Sequence, residues 1–184
     1  MVVLRRRFLL ALLLLAMGAA VGADARSDLE YQVKAAFLFN FAKFVEWPAD
    51  ALKGPRDPMA ICVLGKDPFG ASLDDVVRGE TVNGRSLVVR RTHQVLEARE
   101  CQVVFLAESE RRRQAEILSA MEGASILTVG EGDGFLDDGG IVRLVLDQNR
   151  VRFDINLTAA EANRLKLSSK LLRLARSLQP PRGD

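Results

Sequence analysis

Two short apolar runs, MAICVLG at 59–65 and CQVVFLA at 101–107, limit the folds open to this chain. Each reads as a strand buried on both faces, the condition of a largely parallel sheet with helices on either side. Ahead of them, Ser27 and Glu30 form a capping box, and a helix is expected over 27–47. Its apolar positions Leu29, Val33, Phe37, Phe41 and Phe44 recur at three and four and give one buried face, which Phe39 and Val45 widen. Pro48 ends it. Further along, a short helix to residue 77, a strand over 85–91 after the Asn83-Gly84 turn, a helix over 109–121 and a strand over 125–129 follow in turn. Residues 141–146 and 151–157 form a hairpin through Asp147-Gln148-Asn149-Arg150, and Thr158 with Glu161 caps a last helix reaching residue 178. The expected fold is one α/β domain, a mixed β-sheet flanked by helices with a C-terminal β-hairpin and helix.

The beginning of the chain reads as an export signal rather than as part of that domain. Arg5, Arg6 and Arg7 precede the apolar stretch FLLALLLLAM at 8–17, and small residues follow Gly18 as far as Ala25. This is the layout of a secretory signal peptide over 1–25, cut after Ala25 or Ala23. Its apolar stretch is too short to anchor in a bilayer. The arginines also fit a twin-arginine signal, but the run of leucines favours the general secretory route. Residues 26–184 remain as a single domain working outside the cytoplasm. Losing Arg5, Arg6, Arg7 and Asp24 leaves equal numbers of basic and acidic residues. A neutral domain has no general pull on nucleic acid or on anionic lipid.

Residues able to carry chemistry are scarce. His93 is the one histidine and has no acidic or cysteine partner at a catalytic spacing. Gly130-Glu131-Gly132-Asp133-Gly134 follows a strand but lacks the dinucleotide-loop spacing and the helix that must open after it. No zinc spacing, nucleophile elbow or cofactor motif is present. Cys62 and Cys101 are the only cysteines. An even count in an exported chain suggests a disulfide, with two buried free thiols as the alternative. A chain with this much core and so few reactive groups reads as a binder and not an enzyme. The competing class is a small-molecule receptor with its ligand in the crevice at the carboxyl ends of the strands, and a hydrolase is the weakest option.

YQVKAAFLFNFAKFVEWP at 31–48, and near the end VRFDINL at 151–157 with Ala159-Ala160 and LKLSSKLL at 165–172, resemble the opening and closing motifs of the YfiR family. ICVLG at 61–65, CQVVF at 101–105, ILTVG at 126–130 and Gly134-Phe135 fall between them in the family's order. The resemblance implies a periplasmic regulator without catalysis or cofactor. Members of this kind bind the periplasmic portion of an inner-membrane diguanylate cyclase and hold it inactive, and release raises cyclic di-GMP and biofilm formation. Cys62 and Cys101 match one disulfide pair of the family, while a second pair found in some relatives is absent. Contacts with the partner are expected from the outward side of the strand around Asp154 and from the last helix, through Asp154, Ala160 and Lys166. Pairing with a second copy of the chain is a further expectation, and insertion into the membrane is not expected.

Overall fold

The computed structural model describes residues 26–52, 54 and 57–180. Residues 1–25, expected to be an export signal, lie outside the described residues. Helix α1 spans 26–44 and runs into a two-residue strand, β1 (Val45–Glu46). The main sheet then begins with β2 (Met59–Leu64), followed by α2 (Ala71–Val77), β3 (Thr81–Val82), β4 (Arg85–Thr92), α3 (Val95–Ala98) and β5 (Val103–Leu106). A 3-10 turn, Glu108–Arg113, leads into α4 (Gln114–Met121), and β6 (Leu127–Gly130), β7 (Val142–Asp147) and β8 (Arg150–Asn156) follow. The chain ends in α5 (Leu157–Ala162), β9 (Lys166–Leu167), α6 (Ser169–Leu174) and β10 (Ser177–Gln179). No helix among the described residues is long and apolar enough to cross a membrane.

Eight strands form one sheet in the order β10-β8-β7-β6-β5-β2-β4-β3. The central run β4-β2-β5-β6-β7 is parallel, and β3 and β8 join it antiparallel. Strand alternation explains the two cores. Ile61, Val63, Val103, Phe105, Leu127 and Val129 face α1 and α2, while Cys62, Leu64, Val104 and Leu106 face α3 and α4. Both faces are covered, as the continuous apolar runs require, and the mixed α/β domain is the one expected. Phe135 plugs the second core: a Cβ on Gly130 or Gly140 would come within 2.2 Å of its ring, so only glycine lets the loop after β6 close over it.

Four expectations about individual elements need correction. Residue 26 is already helical, so Ser27 is not an N-cap, and Glu30 pairs with Lys34 instead. At its other end α1 stops at residue 44, because Val45 and Glu46 pair antiparallel with Leu167 and Lys166. Trp47 then folds back, its Nε1 donating to the Ala42 carbonyl at 3.2 Å. The helix expected from residue 109 begins only at Gln114; the chain first makes the 3-10 turn, and Ser109 Oγ accepts from the Lys66 amide at 2.9 Å. The last helix expected to residue 178 is in fact four elements, α5, β9, α6 and the start of β10. Asn156, not Thr158, caps α5, accepting from the Ala159 amide at 3.0 Å. Arg164 then turns left-handed (φ 56°), with Arg164 N–H on Glu161 O and Leu165 N–H on Ala160 O, a Schellman ending that buries Leu165. Ser168 caps α6 afresh, and β10 pairs parallel with β8.

Candidate partner-binding surface

On the outward side of β8 the chain itself covers Asp154, while Arg152 on the same face is exposed. Asp154 of β8 is 1% exposed. Its carboxylate accepts from Arg176 at 2.6 and 2.9 Å, from Ser177 Oγ at 2.7 Å and from Arg143 at 2.9 Å. Burial pushes its pKa upward, but the hydrogen bonds from Arg176, Ser177 and Arg143 outweigh that and hold it well below the usual carboxylate range. These contacts bind three elements: β7, β8 and the residues entering β10. Ala160 is also buried, in the core against α1. Lys166 is exposed on β9, where its backbone pairs with Glu46. Sequence reasoning thus grouped three residues that the fold separates into two supports and one surface position.

A second polar cluster lies at the carboxyl end of β6. Lys34, only 4% exposed, sits between the carboxylates of Glu30 and Glu131, with Nζ 2.5 Å from Glu131 Oε1. Tyr31 OH donates to Glu131 Oε2 at 3.1 Å, and its ring meets Phe69 edge-on at 5.4 Å. These side chains tie α1 across the ends of the strands. The strand order reverses between β2 and β5, the position where an open α/β sheet offers a crevice. Here Ser109 bridges to Lys66, and a Cβ on Gly65 would meet Ser109 Oγ at 2.5 Å. Ser109, in the 3-10 turn after β5, thus closes on the end of β2 at that position. No group of three or more His, Cys, Asp or Glu is placed to hold a metal among the described residues.

The Tyr31 cluster makes a testable statement, because Tyr31 is the only tyrosine. Burial, then the neighbouring Glu131 carboxylate, raises its pKa far above the ordinary value. The fold therefore favours the neutral phenol. Its contribution to stability is complete below about pH 10, where the unfolded phenol ionises, and falls as pH rises further. Alkaline titration of the folded protein is expected to show no phenolate absorbance near pH 10, with the signal arriving only as circular dichroism reports unfolding. A phenolate step at the ordinary value in a still-folded protein would contradict the geometry.

The third feature was missed from sequence altogether. Leu29 and Val33 were expected in the buried face of α1, yet they are 62% and 40% exposed. Farther along the helix, Phe37 and Phe41 stack on Phe153 of β8 at 5.4 and 5.1 Å. Towards residue 26 the sheet below is the β7–β8 hairpin, whose cross-strand pair Leu146 and Val151 lies beyond Leu144 and Phe153. There helix and sheet leave a groove of about 580 Å³, lined by Leu29, Val33, Phe37, Leu146 and Val151, with Arg26 and Arg150 among its polar residues. Leu146 is 55% exposed. The apolar repeat in α1 continues past the point where the described residues cover it.

Two solved structures are similar to part of this chain. One is a conserved domain protein from Vibrio cholerae O1 biovar eltor str. N16961, 15% identical with a TM-score of 0.49, the match covering 65% of this chain and 54% of that one. The other is the ABC domain from Streptococcus pneumonia in complex with L-Trp, 9% identical with a TM-score of 0.48, covering 66% of this chain and 55% of that one. The chain spans about half the length of each, and neither likeness bears on function. A family model described as YfiR/HmsC-like matches residues 31–176, from the aromatic half of α1 to the arginine that holds Asp154. That span takes in most of the chain and both motif-bearing segments, and this chain therefore belongs to the YfiR/HmsC-like family.

Proposed function

We propose that this chain is an exported, non-catalytic regulator that binds the periplasmic portion of an inner-membrane diguanylate cyclase and holds the enzyme inactive. Cyclic di-GMP and biofilm formation fall as a result. The observation that carries the reading is the family match across residues 31–176. One feature of the molecule supports it: the exposed apolar residues Leu29 and Val33 of α1 and Leu146 of the β7–β8 hairpin. Residues 1–25 would direct export and be removed, leaving the protein in the periplasm. Lys166 takes part from the surface of β9, whereas Asp154 and Ala160 act from beneath by fixing β8, α5 and β10.

Repression by binding is a shift between two states of the partner. The regulator must bind the inactive cyclase more tightly than the active one, since equal affinity moves nothing. A hundredfold preference corresponds to about 2.7 kcal/mol. Deleting the gene in its own host is expected to raise cyclic di-GMP, and supplying the full chain, signal included, is expected to lower it again. Unchanged cyclic di-GMP in the deletion strain would overturn the proposal.

A further inference from the structure

We infer that the groove between the first two turns of α1 and the β7–β8 hairpin takes an apolar segment of the cyclase's periplasmic portion, a row of leucine-sized side chains with carboxylates beside it. The inference rests on the regulatory reading above and names its contact surface. The groove continues the internal seam in which Phe37 and Phe41 meet Phe153, so its floor has the spacing of a core without the layer that would complete it. Side chains from another protein laid along Leu29, Val33, Leu146 and Val151 would extend that seam. Exposed apolar area gathered in one place and edged with polar groups is the usual mark of an interface.

Charge selects the occupant. Arg26 and Arg150 line the groove, and neither forms an ion pair among the described residues. The one carboxylate in the lining, Glu30, is already held by Lys34. Asp147 at the hairpin lies close enough to Arg176 to raise its pKa. A second copy docked groove to groove about a two-fold axis would bring four unpaired arginines together, two from each chain, with no unclaimed carboxylate in either lining to answer them. An acidic partner segment meets no such repulsion, and its carboxylates would also steer the encounter.

The test uses the chain from Arg26 onward and the purified periplasmic portion of the cyclase whose product rises when the gene is deleted. Leu29→Asp with Val33→Asp places charge on exposed positions, so thermal stability is expected to hold while affinity drops by about thirtyfold or more. Arg26→Glu with Arg150→Glu is expected to weaken binding by about tenfold and to flatten its salt dependence. Wild-type affinity in both folded variants would overturn the inference and leave the regulatory reading standing. No binding by the wild-type chain would remove the reading and the inference with it. A wild-type dimer that Leu29→Asp with Val33→Asp converts to a monomer would assign the groove to a second copy, and the inference would again fall.

Discussion

Replacing Asp154 with alanine is expected to lower the stability of the fold by about 3 kcal/mol, which is severe for one domain of ordinary size. The carboxylate is almost wholly buried, and its two oxygens answer Arg143, Arg176 and Ser177 together. Truncation leaves two guanidinium groups facing each other across an emptied site. Breaking a fully buried pair in this way costs about 3–5 kcal/mol. Arg143 and Arg176 keep side-chain exposures of 22% and 38%, so water recovers part of the loss and the lower figure applies. Asparagine fills the space but brings no charge, and should cost nearly as much. Urea unfolding reads the effect as a lower midpoint at unchanged slope. A loss below about 1 kcal/mol would mean that the arginines, not the carboxylate, organise this corner.

The same residue sets a pH dependence. Its pKa in the folded chain is depressed, so the stability it supplies is present above the unfolded value of about 3.9 and is lost as pH falls below that. Wild-type protein should therefore destabilise steeply below about pH 4, and Asp154→Asn should flatten that limb. The unzipping should begin at β10, which meets the sheet only along β8 and whose approach is fixed by Arg176 and Ser177.

Much of this fold was legible because hydrophobic period and buried environment agree. MAICVLG and CQVVFLA became neighbouring central strands, with Ile61 opposite Val103 and Val63 opposite Phe105. Ile117, Leu118 and Met121, one, three and four apart, take the inner side of α4. The hairpin at Gln148-Asn149 formed with both residues at positive φ, the two-residue turn that right-twisted strands prefer. What failed was set by distant partners. Thr81–Val82 is too short to announce a strand, and it becomes one because Asn83 and Gly84 turn it back onto Arg85 and Ser86. Val45 and Glu46 leave the helix for a strand arriving from residues 166 and 167. Thr158 had the spacing of a cap, but the helix begins earlier, and Asn156 takes that role by accepting from the Ala159 amide, which the first turn leaves unsatisfied. Leu29 and Val33 carried a true helical stripe. Periodicity names the face that wants cover, and it says nothing of whether the cover belongs to the same chain. A lysine amid the apolar residues of α1, four after Glu30, was the one local sign of the Lys34 tie.

Removing the Cys62–Cys101 bridge is expected to have the largest effect of any change outside the carboxylate hub. The bond joins the middle of β2 to the residue two before β5 across 39 residues of sequence, enclosing α2, the β3–β4 hairpin and α3. The chain-entropy model gives about 4 kcal/mol for closing such a loop in the unfolded state. Cys62→Ala with Cys101→Ala should therefore lower Tm by about 10 °C for a domain of this size. Reducing the wild-type protein should reproduce that shift, and the same treatment should leave the double variant unchanged. Both cysteines lie in the second core with Ala98 and Val104, at 1% and 2% exposure. A reductant therefore reaches the bond only when the α3 side of the sheet opens, so reduction should be slow in buffer and should accelerate with urea in step with local unfolding. A regulatory bond needs a sulfur that a thiolate can attack in the folded state. Rapid reduction of the native protein, with its Tm unmoved, would contradict both the burial and the structural role derived from it.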